Sequence, residues 1–232
     1  MSARPPIVGH SVDAVFFDLF GTLLDLESLA AACDAAAPSR GTELATAWRA
    51  RQLEISWLRN AMSAFVDFDK VTSDALDAAL DELDLVLALA ARQALEHAFE
   101  EMPLHAHARP SLDALRALRL RTGVLTNAAR GTLQRVLSRT RLYESVDYAL
   151  SVDAVQRFKP DPAVYRLATA ATGLDPGRIG FVTSNGWDAA GAGAFGFRVA
   201  WLRPTPRARL PRVGAPEPTV ATWQSMVDLF RG

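Results

Sequence analysis

The first strong hydrophobic pattern in the chain is a continuous apolar run, Val15-Phe16-Phe17, which predicts a buried strand. It delivers Asp18 into a Gly-containing turn, Leu19-Phe20-Gly21-Thr22. From residue 108 the chain alternates short apolar runs with helical periods. Ser111 is placed to cap a helix reaching about Arg119, and 122–126 reads as a short buried strand. Leu133, Val136 and Leu137 give helical spacing over 128–139. A weak strand at 148–150 and a helix over 161–172, led in by Pro160 and Pro162, come next. Strands at 179–183 and 199–202 then flank a Gly/Ala-rich helix at 187–195. This βαβ grammar implies an α/β fold with a doubly wound parallel sheet. Residues 26–107 differ: they are rich in Ala, Leu and Asp, helical in period and without a convincing strand, so they read as a helical insertion. The Pro/Arg-rich stretch 203–218 reads as a surface connection to a last helix at 221–230, and no internal repeat is present.

Composition narrows the class. With 232 residues, 50% of them hydrophobic and 22% charged, the chain has room for a large core and a smaller inserted domain. A formal charge of -1 leaves no electrostatic footprint for nucleic acid or a polybasic membrane contact. The single cysteine, Cys33, excludes an intrachain disulfide and suits a reducing compartment. No segment has about twenty uninterrupted apolar residues. Residues 1–12 lack a secretory pattern, and a cytoplasmic protein is expected.

Four polar groups fall where strands end. Asp18 follows the first strand and Thr126-Asn127 the second; Lys159, in Arg157-Phe158-Lys159-Pro160-Asp161, precedes a helix; Thr183-Ser184-Asn185-Gly186-Trp187-Asp188 closes the fourth strand. Taken singly, a Lys is usually a solvated group, a Thr-Asn pair turn chemistry and an Asp near a helix start a cap. In a parallel sheet, however, the carboxyl ends of the strands share one edge, and ligands bind in the crevice there.

Asp18-Leu19-Phe20-Gly21-Thr22, Lys159-Pro160-Asp161 with Tyr165, and Ser184-Asn185-Gly186-Trp187-Asp188 together resemble the haloacid dehalogenase superfamily, over nearly the whole chain. Within it they resemble the (S)-2-haloacid, or L-2-haloacid, dehalogenases. The run Trp48-Arg49, Gln52-Leu53-Glu54, Trp57-Leu58-Arg59 in the insertion also looks like that branch. The superfamily's magnesium phosphatases carry a second Asp where this chain has Phe20, and a metal-binding Asp where it has Ser184. Magnesium favours several hard, anionic oxygens, so no metal or other cofactor is expected. Phe20 stands where many of the dehalogenases have Tyr, Thr126 and Thr183 where they have Ser, and Gly186 where Ala is common.

The resemblance implies a Rossmann-like core of five or six strands from 1–25 and 108–232, with 26–107 as a helical cap domain. It implies a homodimer whose partners are a small halogenated carboxylic acid and water. Asp18 is then the nucleophile that displaces halide and forms an ester. Lys159 keeps it ionised, and Thr22 orients it. Arg49, Asn127 and the ring edge of Trp187 cradle the halide. Thr126 and the backbone N–H groups near Leu19, Phe20 and Asn127 clamp the substrate carboxylate. Asp188, with Thr183 and Asn185, holds and deprotonates water, Lys159 being the other candidate base. Tyr165 bonds Lys159 or the substrate carboxylate, or simply packs. Phe20, Leu53, Trp57 and Trp187 wall the alkyl group.

Other features take blander readings. His105 and His107 have ligand-like spacing without an acidic or thiol cluster and read as a solvated hinge. Cys33 reads as a packed thiol, and Gly191, Gly193 and Gly196 as close helix packing instead of a nucleotide fingerprint. A magnesium phosphatase of small phosphoesters and a non-catalytic relative remain the alternatives.

Overall fold

The computed structural model describes residues 12–202 and 219–231. Six strands, β1 (Ala14–Phe17), β2 (Arg121–Thr126), β3 (Tyr148–Ser151), β4 (Ile179–Thr183), β5 (Arg198–Leu202) and β6 (Thr219–Val220), form one sheet in the order β3-β2-β1-β4-β5-β6. Every pairing is parallel. β1 and β4 are the central strands and are buried along their whole length, which accounts for their unbroken apolar sequences AVFF and IGFVT. Strand order reverses between them, so the crevice beyond the carboxyl ends of β1 and β4 is the topological switch point.

Four helices lie between β1 and β2 in the chain: α1 (Glu27–Ala36), α2 (Gly41–Met62), α3 (Phe68–Glu82) and α4 (Leu89–Glu100). α1 packs on α2 and α4, and α2 packs on α3. α2 buries Leu44, Trp48, Gln52 and Ser56, a stripe at four-residue spacing. The two passages of chain between these helices and the sheet run side by side: Asp25 N–H donates to the Pro103 carbonyl at 2.9 Å and His105 N–H to that of Leu23 at 2.8 Å. Thr132 donates to both carboxylate oxygens of Asp69, at 2.9 and 2.8 Å, and Arg135 pairs with Glu100 at 2.6 Å.

α5 (Ala108–Ala117), α6 (Arg130–Arg139), α7 (Pro162–Thr172), α8 (Gly186–Phe195) and α9 (Trp223–Arg231) complete the doubly wound arrangement. α7 packs on α8 and against β2 and β3, and α8 packs against β4 and β5. The expected strands are present to within a residue. The expected Ser111 cap is not: α5 begins at Ala108, and Ser111 is buried one turn in, its N–H donating to the His107 carbonyl. Pro110 fits in that first turn because N–H groups there have no intrahelical acceptor. The helix also stops at Ala117, before the left-handed Arg119 at φ 62°. The stretch 203–218 lies outside the described residues.

Candidate active site

Asp18 leaves β1 with its N–H donating to the Val182 carbonyl at 3.0 Å, so the β1–β4 ladder itself aims the side chain over the switch point. The turn that follows depends on Gly21 at φ 78°, a left-handed conformation that L side chains avoid. The carboxylate is 5% exposed, and its two oxygens have different surroundings. Oδ1 accepts from Lys159 Nζ at 3.0 Å. Oδ2 accepts from Asn185 Nδ2 at 2.7 Å, Thr22 Oγ1 at 3.3 Å and Thr183 Oγ1 at 3.4 Å. Thr22 Oγ1 in turn accepts from Ser184 N–H at 2.9 Å, and Thr183 Oγ1 from Asn185 N–H at 3.1 Å. These bonds lock the β1 and β4 loops to each other.

Lys159 is fully buried, and its ammonium also reaches Asp188 Oδ2 at 2.9 Å and lies over the Phe181 ring. Burial opposes its charge, but the Asp18 and Asp188 carboxylates outweigh burial and hold the ammonium above its ordinary pKa. Asp188, in the first turn of α8, is pushed up to about 6, chiefly by burial; Lys159 draws it down and Asp18 pushes it further up. The loop carrying Lys159 is pinned on both sides. Asn127 Oδ1 accepts from Lys159 N–H at 2.9 Å, and Asn60 of α2 accepts from Phe158 N–H at 2.8 Å and donates to its carbonyl at 2.6 Å.

Tyr165 is fully buried, and its hydroxyl donates to Asp188 Oδ1 at 2.7 Å, so its charged partner is Asp188 and not Lys159. Burial and the Asp188 carboxylate raise its pKa well above the usual phenol value. Gly191 makes this approach possible: a Cβ there would stand 2.5 Å from the Tyr165 hydroxyl. Thr126 is buried at the end of β2, its Oγ1 accepting from Ala128 N–H at 3.1 Å.

From the insertion, Arg49 is half-buried and close enough to Asp18 and Asp188 for both to favour its charge, although burial holds its pKa below the ordinary arginine value. Leu53 and Trp57 follow it at four-residue intervals on α2, and Trp57 meets Trp187 edge-to-face at 5.9 Å. Phe20 stacks on Phe68 at 6.0 Å and meets the Phe99 ring at 5.0 Å. The structure thus gathers Asp18, Thr22, Asn127, Lys159, Tyr165, Thr183, Asn185 and Asp188 at one edge of the sheet, with Arg49 near the two aspartates and Trp57 on Trp187. Leu53 is tied to them only by its place between Arg49 and Trp57 on α2. Sequence reasoning gave no role to Phe68, Phe99, Asn60 or Thr72, nor to Gln52; the available signal was that Gln52, like Ser56, continues the four-residue stripe of Leu44 and Trp48 with a polar side chain.

A magnesium ion, which the superfamily's phosphatases use, does not fit this donor set. The Phe20 carbonyl and Asp18 Oδ2 converge on the Asn185 amide, at 3.0 and 2.7 Å, so an N–H donor stands where both oxygens point. The carboxylates of Asp18 and Asp188 are already paired through an ammonium. His105 stacks on Trp223 at 5.1 Å, and among the described residues no group of three or more His, Cys, Asp or Glu could hold a metal ion. Cys33 is buried, and burial pushes its thiol up to about 11, as a packed thiol requires.

A doubly wound parallel sheet with a buried aspartate, lysine and aspartate joined at its switch point defines a site of the doubly wound α/β class, set at the carboxyl edge of the sheet. The profile of the haloacid dehalogenase-like hydrolases matches residues 12–196, and the chain belongs to that family. It is 38% identical over 219 residues to the (S)-2-haloacid dehalogenase of Pseudomonas sp. (strain YL), covering 94% of each chain. It is 32% identical over 191 residues to haloacetate dehalogenase H-2 of Moraxella sp. (strain B), covering 82% of this chain and 85% of that one. The L-2-haloacid dehalogenase of Xanthobacter autotrophicus with chloropropionic acid covalently bound superposes with a TM-score of 0.88 at 32% identity, covering 95% of this chain and 99% of that one.

Proposed function

We propose that this chain hydrolyses short L-2-haloacids or haloacetate to the 2-hydroxy acid and halide, through an ester on Asp18 and without a metal ion. The observation that carries this reading is a buried Asp18 carboxylate bonded to the Lys159 ammonium at 3.0 Å beside a position 20 that is Phe, where a phosphatase needs an acid. Halide departs as an anion and needs no proton, so an apolar residue there is compatible with the chemistry. The named relatives support the same choice of substrate class.

Asp18 Oδ1, bonded to Lys159 alone, is the attacking oxygen: its bond to C2 forms as the carbon–halogen bond breaks and the electron pair leaves with halide. Oδ2 becomes the carbonyl oxygen of the ester. Its three donors, Thr22, Thr183 and Asn185, then stabilise the negative charge that develops when water attacks the carboxyl carbon. Asp188 takes the proton from that water; the bond between the Asp18 carboxyl carbon and Oδ1 then breaks, and the 2-hydroxy acid leaves with Oδ1, which takes back the proton from Asp188 to become its hydroxyl. The raised pKa of Asp188 makes it a better base than an ordinary carboxylate, and the Lys159 ammonium remains bonded to it when Asp18 is esterified. Tyr165 orients Asp188. Arg49, Asn127 and Trp187 receive the halide. Thr126, with the N–H groups of Leu19, Phe20 and Asn127, holds the substrate carboxylate, and Phe20, Leu53, Trp57 and Trp187 enclose the alkyl group.

In this reading 26–107 is the cap domain, and 1–25 with 108–232 is the core that carries the nucleophile. The enzyme works in the cytoplasm, consistent with its single buried thiol and with no helix among the described residues being long and apolar enough to cross a membrane. It works as a homodimer; Leu58 and Met62, 52% and 65% exposed one turn apart on α2, supply apolar surface for a second copy.

The test is halide release from fluoro-, chloro- and bromoacetate and from both enantiomers of 2-chloropropionate, followed by single turnover in oxygen-18 water. Release from the L enantiomer with label in the peptide carrying Asp18 is expected. Inertness toward every haloacid, or label confined to the product, would overturn the proposal.

A further inference from the structure

We infer that Gln52 and Thr72 are positioning residues, a buried relay that aims the Arg49 guanidinium while leaving its charge uncancelled for the departing halide. The inference rests on the halide role proposed for Arg49. Gln52 is fully buried on the α2 stripe that packs against α3, where an amide is costly unless both of its ends are satisfied. Both are. Its Oε1 accepts from Arg49 Nη1, and its Nε2 donates to Thr72 Oγ1 at 2.6 Å.

The direction of the relay is dictated by proton count. The single hydroxyl proton of Thr72 goes to the Phe68 carbonyl at 2.7 Å, so toward Gln52 the Thr72 oxygen can only accept. The amide NH2 must therefore face Thr72, and the amide oxygen must face Arg49. Thr72 is itself fixed, because the buried Trp48 indole donates to its carbonyl at 2.8 Å and ties α2 to α3 at that turn. The guanidinium thus inherits its orientation from α3.

The choice of an amide is as informative as its placement. The neighbouring arginines of α2 have carboxylate partners: Arg51 pairs with Glu54 and with Glu82 at 3.0 Å, and Arg59 with Asp74 at 3.1 Å. Arg49 is instead held on its own helix by a neutral carbonyl. A carboxylate at position 52 would align the guanidinium equally well but would compensate the charge that a leaving anion needs.

Thr72→Val, Thr72→Ser and Gln52→Glu, with the parent protein, test this by single-turnover ester formation on chloroacetate and bromoacetate and by inhibition with free bromide. In Thr72→Val the amide loses the acceptor that sets its direction. In Gln52→Glu the guanidinium is neutralised. Both should slow ester formation by about tenfold or more, a fraction of what losing a whole charge-stabilising donor costs. The loss should be larger for chloride than for bromide, and bromide inhibition should weaken in parallel. Thr72→Ser keeps the hydroxyl and should behave as the parent. A merely structural role predicts lowered thermal stability with equal losses for both halides and unchanged bromide inhibition, and that result would overturn the inference. Should Thr72→Val fail to fold, Gln52→Glu decides alone, since it retains the size of the side chain. A parent protein active on haloacids with Gln52→Glu indistinguishable from it removes this inference only; a parent inert toward all of them removes the proposed function as well.

Discussion

The Tyr165 hydroxyl donates to Asp188 Oδ1 at 2.7 Å, in space that Gly191 leaves open on α8. The bond favours the ionised form of Asp188 and so opposes the burial that raises its pKa. Tyr165→Phe should therefore let Asp188 keep its proton to higher pH and should slow ester hydrolysis more than ester formation. It should also cost about 1.5–3 kcal/mol of stability, the range for a hydrogen bond to a charged group. Gly191→Ala should act in the same direction, because the new Cβ would displace the phenol. Urea unfolding and the pH profile of ester hydrolysis check both; a parent-like profile in Tyr165→Phe would reduce the tyrosine to packing.

The two aspartates should fail differently. Asp18→Asn replaces the nucleophile with a neutral amide and should abolish halide release. Asp188→Asn leaves Asp18 and its donors in place and removes only the base, so the ester should form and persist. Intact mass with excess chloroacetate should then show a carboxymethyl adduct on the Asp18 peptide in stoichiometric amount. Absence of that adduct, with halide release also lost, would assign Asp188 to the first step.

Ester hydrolysis should be lost as the pH falls, because the base must be ionised. The midpoint should lie below about 6, the value to which Asp188 is pushed in the free enzyme, since esterification removes the negative charge of Asp18 that helps raise it. Preforming the ester and jumping the pH in a rapid mixer measures this step in isolation. A midpoint above that of the free enzyme contradicts the assignment.

Activity should survive exhaustive chelation. Ser184 and Phe20 supply no carboxylate, and the Asn185 amide fills the point on which Asp18 and the Phe20 carbonyl converge. Turnover that disappears with EDTA and returns with magnesium would mean that Asn185 is displaced by the ion during catalysis.

Much of this arrangement was legible in the chain because its cause is local. Buried parallel strands are apolar on both faces, so β1 and β4 stand out as unbroken runs, and Asp18 and Thr183 are conspicuous at their ends. The start of α5 was misread because a first-turn Pro110 looks like a boundary while costing the helix nothing. Tyr165 reads in the sequence as a partner of Lys159 or the substrate carboxylate, or as packing, and its bond to Asp188 is missed because the approach of Tyr165 to Asp188 is set by tertiary packing and absent from spacing. Gln52 and Thr72 were silent for the same reason: their bond joins α2 to α3, and only the packed pair gives the amide a direction.

Enclosing Lys159 between Asp18 and Asp188 also sets the electroneutrality of the cycle. With Arg49, the free site holds two cations and two anions, so an anionic substrate enters a neutral cavity, not a repelling one. Ester formation consumes one of those anions, and the cavity with halide still present carries the same total as before, now split between halide and substrate carboxylate. Once halide escapes, the sum returns to zero, the value of the resting site, with the substrate carboxylate standing in for the charge that Asp18 has lost. Product halide should consequently meet the same net charge on the esterified enzyme as on the resting one, so the cycle passes from one neutral form to the other and carries a net negative charge only while an anion in transit is bound.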